Sequence, residues 1–286
     1  MKHESLRTNA GACRRSLAVA ASICLLHAGA GLSAPAFKGP DLAELPEPAQ
    51  KAIKEQAGDG KLVRIEETIK DDQPCYRVEL KKDGKDRSFT VDDEGKLCRL
   101  QVFLEETPAL VQTGLREQLG DGTLAQIEKV MGDDGTLYQV EMTRGGRERD
   151  FAVTTNGALA WQEVFWGETP APVQKTIRVH SRAGRLGEIH RVGGNGQTVF
   201  QVEMTRHRKP MPFSVSADGK LISAVVSLEE TPPPVQNTIK RQVGDGYLDT
   251  VELSIDEGEK TYDVTFTKGD QTKDFTVLAN GKLERP

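Results

Sequence analysis

The sequence predicts an α+β protein made of four tandem repeats of about 62 residues. Each repeat is expected to be an N-terminal helix packed on an antiparallel four-stranded sheet, with the last repeat lacking most of its final strand. Three observations predict this. The segment ETPALVQTGLREQLGDG from Glu106 returns as ETPAPVQKTIRVHSRAG from Glu168 and as ETPPPVQNTIKRQVGDG from Glu230. It is prefigured by ELPEPAQKAIKEQAGDG from Glu44, and every step is 62 residues. Each copy is followed by stretches that alternate apolar with polar residues. Turn dipeptides such as Asn156-Gly157 and Asp218-Gly219 separate those stretches, and pairs of this kind are strong hairpin signals.

The helix comes first in each unit. Thr107, Thr169 and Thr231 are suited to N-caps, because a hydroxyl can accept a bond from an unpaired first-turn N–H. Pro108, Pro170 and Pro232 follow, where a missing N–H costs nothing. In the first copy Leu45 stands in place of the threonine. Val111, Leu115 and Leu119, and likewise Val235, Ile239 and Val243, recur every four residues and lay one apolar stripe along about three turns. Gly58, Gly120 and Gly244 are placed to end their helices. The third copy has no glycine there, so its stop is expected to shift toward Gly184.

Strands follow. Tyr76, Val78 and Leu80 alternate with polar residues, as do Tyr138, Val140 and Met142, Phe200, Val202 and Met204, and Tyr262, Val264 and Phe266. Period two gives one buried face and one wet face. A third strand carries Phe89 and Val91 with their counterparts, and a glycine turn leads to a fourth, LCRLQVFLEE in the first copy. After GKLERP the last copy has no such strand. Its edge is expected to stay open, unless a segment near Leu42 fills it as in a closed propeller. These readings divide the chain into repeats at 44–105, 106–167, 168–229 and 230–286.

Residues 1–36 read as a signal peptide. A basic region ending at Arg14-Arg15 precedes an apolar run too short to span a bilayer as an ordinary helix. Ala36 and Ala30 are the alternative cleavage points, and an uncleaved anchor is the competing reading. Without that segment the chain carries 34 Lys and Arg against 42 Asp and Glu. This balance argues against a nucleic-acid partner, which needs a concentrated positive field. The expected class is an acidic protein, periplasmic or secreted, with no membrane span after cleavage.

Cys75 and Cys98 are a candidate disulfide in an exported chain. They fall on the second and fourth strands, however, about 9–10 Å apart. A bridge needs Cα atoms within about 7 Å.

The order of elements, the TPxxVQxxI opening, the YxVE second strand and the DGKL turn resemble the PepSY-like family, the group likened to β-lactamase-inhibitor protein repeats. The resemblance covers nearly all of the chain after residue 36, as four copies. It implies exported, non-enzymatic modules, some of which accompany secreted proteases as inhibitory pieces. The better-known inhibitor of this group binds its target across a concave sheet surface. None of that inhibitor's contact residues can be matched here, so inhibition of a β-lactamase is not implied.

No catalytic motif stands out, and neither an enzymatic activity nor a cofactor is expected. His180, His190 and His207 fall at a helix end, on a first strand and in a turn, without metal-ligand spacing. Acidic turns such as VDDEG and MGDDG lack the spacing of a calcium loop. Two departures from the repeat are the binding candidates. The third copy is basic, with Arg206 and Arg208 among its cations. The second is aromatic, with Trp161 and Phe165 at one parity of its fourth strand where the third copy has Ser223 and Ser227. The expected function is recognition of a polypeptide or envelope component across the outer sheet faces. The alternatives are a structural spacer without a specific ligand, or a metal-binding or enzymatic envelope protein.

Overall fold

The computed structural model describes residues 39–70, 73–132, 135–194 and 197–284. The signal-peptide reading, with Ala30 and Ala36, lies outside the described residues. Among those described, no helix is long and apolar enough to cross a membrane.

The chain is α+β. Helix α1 (Glu47–Ala57) is followed by β1 (Lys61–Lys70), β2 (Gln73–Lys82), β3 (Lys85–Asp92) and β4 (Leu97–Val102). Next come α2 (Ala109–Leu119), β5 (Thr123–Gly132), β6 (Gly135–Arg144), β7 (Arg147–Thr154) and β8 (Leu159–Glu163). Then α3 (Ala171–His180), β9 (Arg185–Gly194), β10 (Gln197–Arg206), β11 (Lys209–Pro210), β12 (Phe213–Ser216) and β13 (Leu221–Val225) follow. The chain closes with α4 (Pro233–Val243), β14 (Tyr247–Asp256), β15 (Glu259–Lys268) and β16 (Gln271–Leu278).

Among the described residues, all 16 strands form one antiparallel sheet in chain order, with the short β11 paired only to β10. Among the described residues the sheet is open, with β1 and β16 as its two ends and no propeller-like closure between them. Beyond β16 the chain folds back, and Leu283 bridges Val277.

Four core clusters lie under the four helices. Each combines the helical stripe with the inward strand residues: Val111, Leu115 and Leu119 pack with Ile127, Tyr138, Val140 and Phe151. Neighbouring groups interlock. Val102 and Leu104 reach the cluster under α2, and Val164 and Trp166 reach the cluster under α3. Inward parity also carries across the joins, since Val102 pairs with Ile127 and Ala224 with Leu253. All four helices therefore cover one face of the sheet and leave the other uncovered.

The helix starts differ from the expected caps. Helices α2, α3 and α4 each begin directly after the Thr-Pro pair, with the proline at the N-cap position and no side-chain cap. The threonine hydroxyls instead donate to Leu104 O, Trp166 O and Leu228 O at 2.8 Å, closing a 3-10 turn before each helix. Gln112, Gln174 and Gln236 then donate to the threonine carbonyls at 2.8–2.9 Å. The repeated glutamate holds the other end of the same turn. Glu106, Glu168 and Glu230 accept the N–H of Phe103, Phe165 and Ser227. Arg87, Arg149 and Arg206 clamp these carboxylates through paired bonds, and the arginines lower all three, Glu230 to about 2.

Gly58, Gly120 and Gly244 end three helices at φ of 53–59°, in the left-handed region that favours glycine. The third helix departs from expectation. It stops at Ser181 in a right-handed conformation (φ −88°), and Gly184 only closes the following turn.

Candidate functional site

Period-two alternation that buries one face presents the intervening residues on the face without helices. On β6 these are Gln139 and Glu141, on β7 Asp150 and Ala152, on β8 Trp161 and Glu163. On β9 they are Glu188, His190 and Val192, and on β10 Gln201 and Glu203. Register lines them up across the sheet. Glu141 pairs with Asp150, Trp161 with Ala152 and Val192, Glu163 with His190, and His190 with Gln201.

The surface so formed carries a row of carboxylates beside one aromatic. Burial pushes the Asp150 carboxyl up to about 6, and Glu141, Glu163 and Glu188 push it the same way against one hydrogen bond from Gln139. Its Oδ2 is buried without a hydrogen-bond partner. Burial and then Glu188 raise both Glu163 and Glu203, with His190 opposing in each case. Toward the N-terminal end the charge is balanced, as Arg99 donates to Glu128 at 2.8 Å. One stretch of excess negative charge therefore spans β6–β10, and a smaller one lies farther along, where Glu252 pairs with Asp263 on β14 and β15.

A raised acid binds its proton more tightly in the folded state, so stability falls as pH rises from about 4 to about 6 and stays lowered above that. Asp150→Asn is thus expected to stabilise the protein at pH 7. The gain is about 1–2 kcal/mol once solvent screening is discounted, and it shrinks as pH falls through 6. Urea unfolding of both forms at pH 7 and pH 4.5 checks this, with a gain independent of pH as the contrary result.

The trio Glu188, His190 and Glu203 converges at the β9–β10 end of this surface, with one ligand-type atom from each lying within 4.8 Å of the others. His190 is 7% exposed. Its Nε2 lies 3.3 Å from Glu188 Oε2, and its ring stands edge-on to Trp161 at 5.1 Å.

Trp161 is half-buried on this face. Phe165 is not beside it. Strand β8 ends at Glu163, and the Phe165 ring lies under Arg147 and Arg149, at 5.0 and 4.6 Å. Arg149 shares the parity of the core residues Phe151 and Val153, so Phe165 belongs to the helix side. The shared parity of Trp161 and Phe165 fails because the chain bends into the 3-10 turn Trp166–Glu168. Arg206 is also on the helix side, engaged by Glu230. Arg208 is exposed in the turn after β10. The structure thus separates the four expected contact residues. Cys75 lies on β2 and Cys98 on β4, both buried, with β3 between them. Cys98 donates to Lys96 O at 3.5 Å.

A small cavity of about 210 Å³ opens on the helix side, lined by Met204, Met211, Phe213, His180 and Arg206. It arises where the third copy breaks its third strand into β11 and β12.

No protein-family model matches the sequence, and no curated protein matches it. Among solved structures, the chain is similar to a BLIP-like protein from Bacteroides fragilis, with 16% identity over 41% of this chain and 84% of that one, at a TM-score of 0.31. A DUF2874 family protein from Bacteroides ovatus shows 13% identity over 41% and 85%, at 0.29. One from Bacteroides vulgatus shows 11% identity over 44% and 94%, at 0.32.

Proposed function

We propose that the chain is an exported, non-enzymatic binding protein that holds a basic polypeptide segment across the uncovered sheet face, with Trp161 as anchor. One observation carries the reading. Glu141, Asp150, Glu163, Glu188 and Glu203 share the uncovered face with the half-buried Trp161, and Glu141, Glu163 and Glu188 all act on Asp150. Such a surface favours Lys- or Arg-bearing partners, whose cations also stack on indole. The flat side of an extended segment suits a pleated sheet. In this reading the chain is four PepSY-like units at 44–105, 106–167, 168–229 and 230–286, preceded by a signal peptide and acting in the periplasm or outside the cell.

The test is fluorescence anisotropy of a labelled Lys/Arg-rich decapeptide and a Glu-rich control against the full chain at two salt concentrations. The basic peptide is expected to bind, more weakly at high salt, and Trp161→Ala is expected to weaken it at least about tenfold. Equal binding of both peptides, or an unchanged affinity in Trp161→Ala, would defeat the reading and favour a spacer.

A further inference from the structure

We propose that Glu188, His190 and Glu203 form a binding site for a first-row divalent transition metal ion, of which Zn²⁺ is the representative. The inference goes beyond the polypeptide reading and does not depend on it.

The comparison that carries it is internal to the chain. The residues 62 positions apart from this trio occupy the same three corners in the first two copies. In the first copy they are Arg64, Glu66 and Glu79, and Arg64 ion-pairs with Glu66. In the second they are Gln126, Glu128 and Glu141, and Gln126 donates to Glu128 at 3.0 Å. Each of these trios contains a fixed donor that satisfies a carboxylate. The third copy replaces the donor corner with Glu188 and the central glutamate with His190. The result is two carboxylates and an imidazole with no Arg, Lys or amide among them.

Local backbone brings these groups together. Glu188 and His190 are two apart on β9 and so share a face. A bulge sets Gly187 and Glu188 opposite Glu203, because Val202 pairs with Ile189 while Met204 pairs with Leu186. A Cβ at position 187 would lie 3.0 Å from Glu203 Cβ, so the two strands approach closely here. Ligands bound to one ion at about 2.0–2.2 Å stand about 3–4 Å apart, and the trio already lies within 4.8 Å. Small side-chain rotations complete the site.

The chemistry selects the class of ion. Imidazole suits zinc and its neighbours, whereas an all-oxygen site would suit calcium or magnesium. Burial of His190 supplies a low-dielectric ligand held by Trp161, and the negative neighbours Glu163 and Asp150 add attraction for a dication. Three protein ligands leave at least one coordination position for water or a partner's side chain.

The experiment uses the untagged full chain. Equilibrium dialysis against Zn²⁺ gives stoichiometry, and Co²⁺ quenching of tryptophan emission in a Trp166→Phe background reports on Trp161, since the chain has two tryptophans. One ion per chain is expected, with saturable quenching that Zn²⁺ reverses. His190→Gln and Glu203→Gln are each expected to weaken binding at least about tenfold, while His180→Gln leaves it unchanged. Circular dichroism verifies the fold, and if one ligand variant unfolds the other decides. No saturable binding by the folded chain, or wild-type affinity in the folded ligand variant, would overturn the proposal.

Discussion

Phe151→Ala is expected to lower the unfolding free energy by about 3–5 kcal/mol. Phe151 is fully buried at the centre of β7. It pairs with Val140 on one side and Gln162 on the other, and it belongs to the cluster formed by Val111, Leu115, Leu119 and Ile127. That cluster is small, so few neighbours can relax into the space an aromatic ring leaves. The cost also reaches the next unit. Val164 and Trp166 leave this copy to pack under α3, so loosening β7 and β8 withdraws cover from the third core. Urea unfolding followed by tryptophan emission checks the figure, because both indoles lie in this region. A loss below about 1 kcal/mol would mean that the interlocked cores repack freely.

Gly157→Ala is expected to cost about 2–5 kcal/mol. Gly157 has φ +83°, and a Cβ there would lie 2.2 Å from Leu110 O on α2. The left-handed conformation costs a non-glycine residue about 1–2 kcal/mol. Pushing the helix off the sheet adds a further penalty of about 1–3 kcal/mol. The approach is mutual, as a Cβ on Gly114 would lie 2.0 Å from Gly157 O. In the third and fourth copies a threonine fills the position of Gly114, and Thr176 and Thr238 donate to Gly219 O at 2.5 Å and to Gly281 O at 2.7 Å. The second copy exchanges that hydrogen bond for direct backbone contact. Thermal unfolding of Gly157→Ala beside Gly219→Ala tests this. Equal and small losses in both would show that the contact does not seat the helix.

Much of the fold is legible because its signals are local. Four-residue spacing in Val111, Leu115 and Leu119 gives the helical stripe, and alternation in Tyr138, Val140 and Met142 gives the strand and its buried face. The threonine caps are not legible because two chemistries fit Thr-Pro. The hydroxyl can cap the helix ahead or close the turn behind, and the proline after it pushes the helix start one residue on. The continuous sheet was less legible, since pairing between β4 and β5 or β8 and β9 depends on contacts between copies.

The site was hidden for the same reason. Glu188 and His190 stand in the plain string GEIHR, and their shared face follows from strand period alone. Glu203 joins them only through cross-strand register and a bulge, which no spacing along the chain displays. A copy-by-copy alignment held the missing signal: three copies keep glutamate where the third has His190, namely Glu66, Glu128 and Glu252. Phe165 misled for the opposite reason. Its parity was extrapolated past Glu163, where the strand has already ended.

The most direct test of the account places a photo-crosslinking residue at Gln201 on the uncovered face, or at Lys175 on the outside of α3, and irradiates each full-length variant with the basic decapeptide. A crosslink from Gln201, competed by unlabelled peptide, is expected, and none from Lys175. A crosslink from Lys175 alone would contradict it.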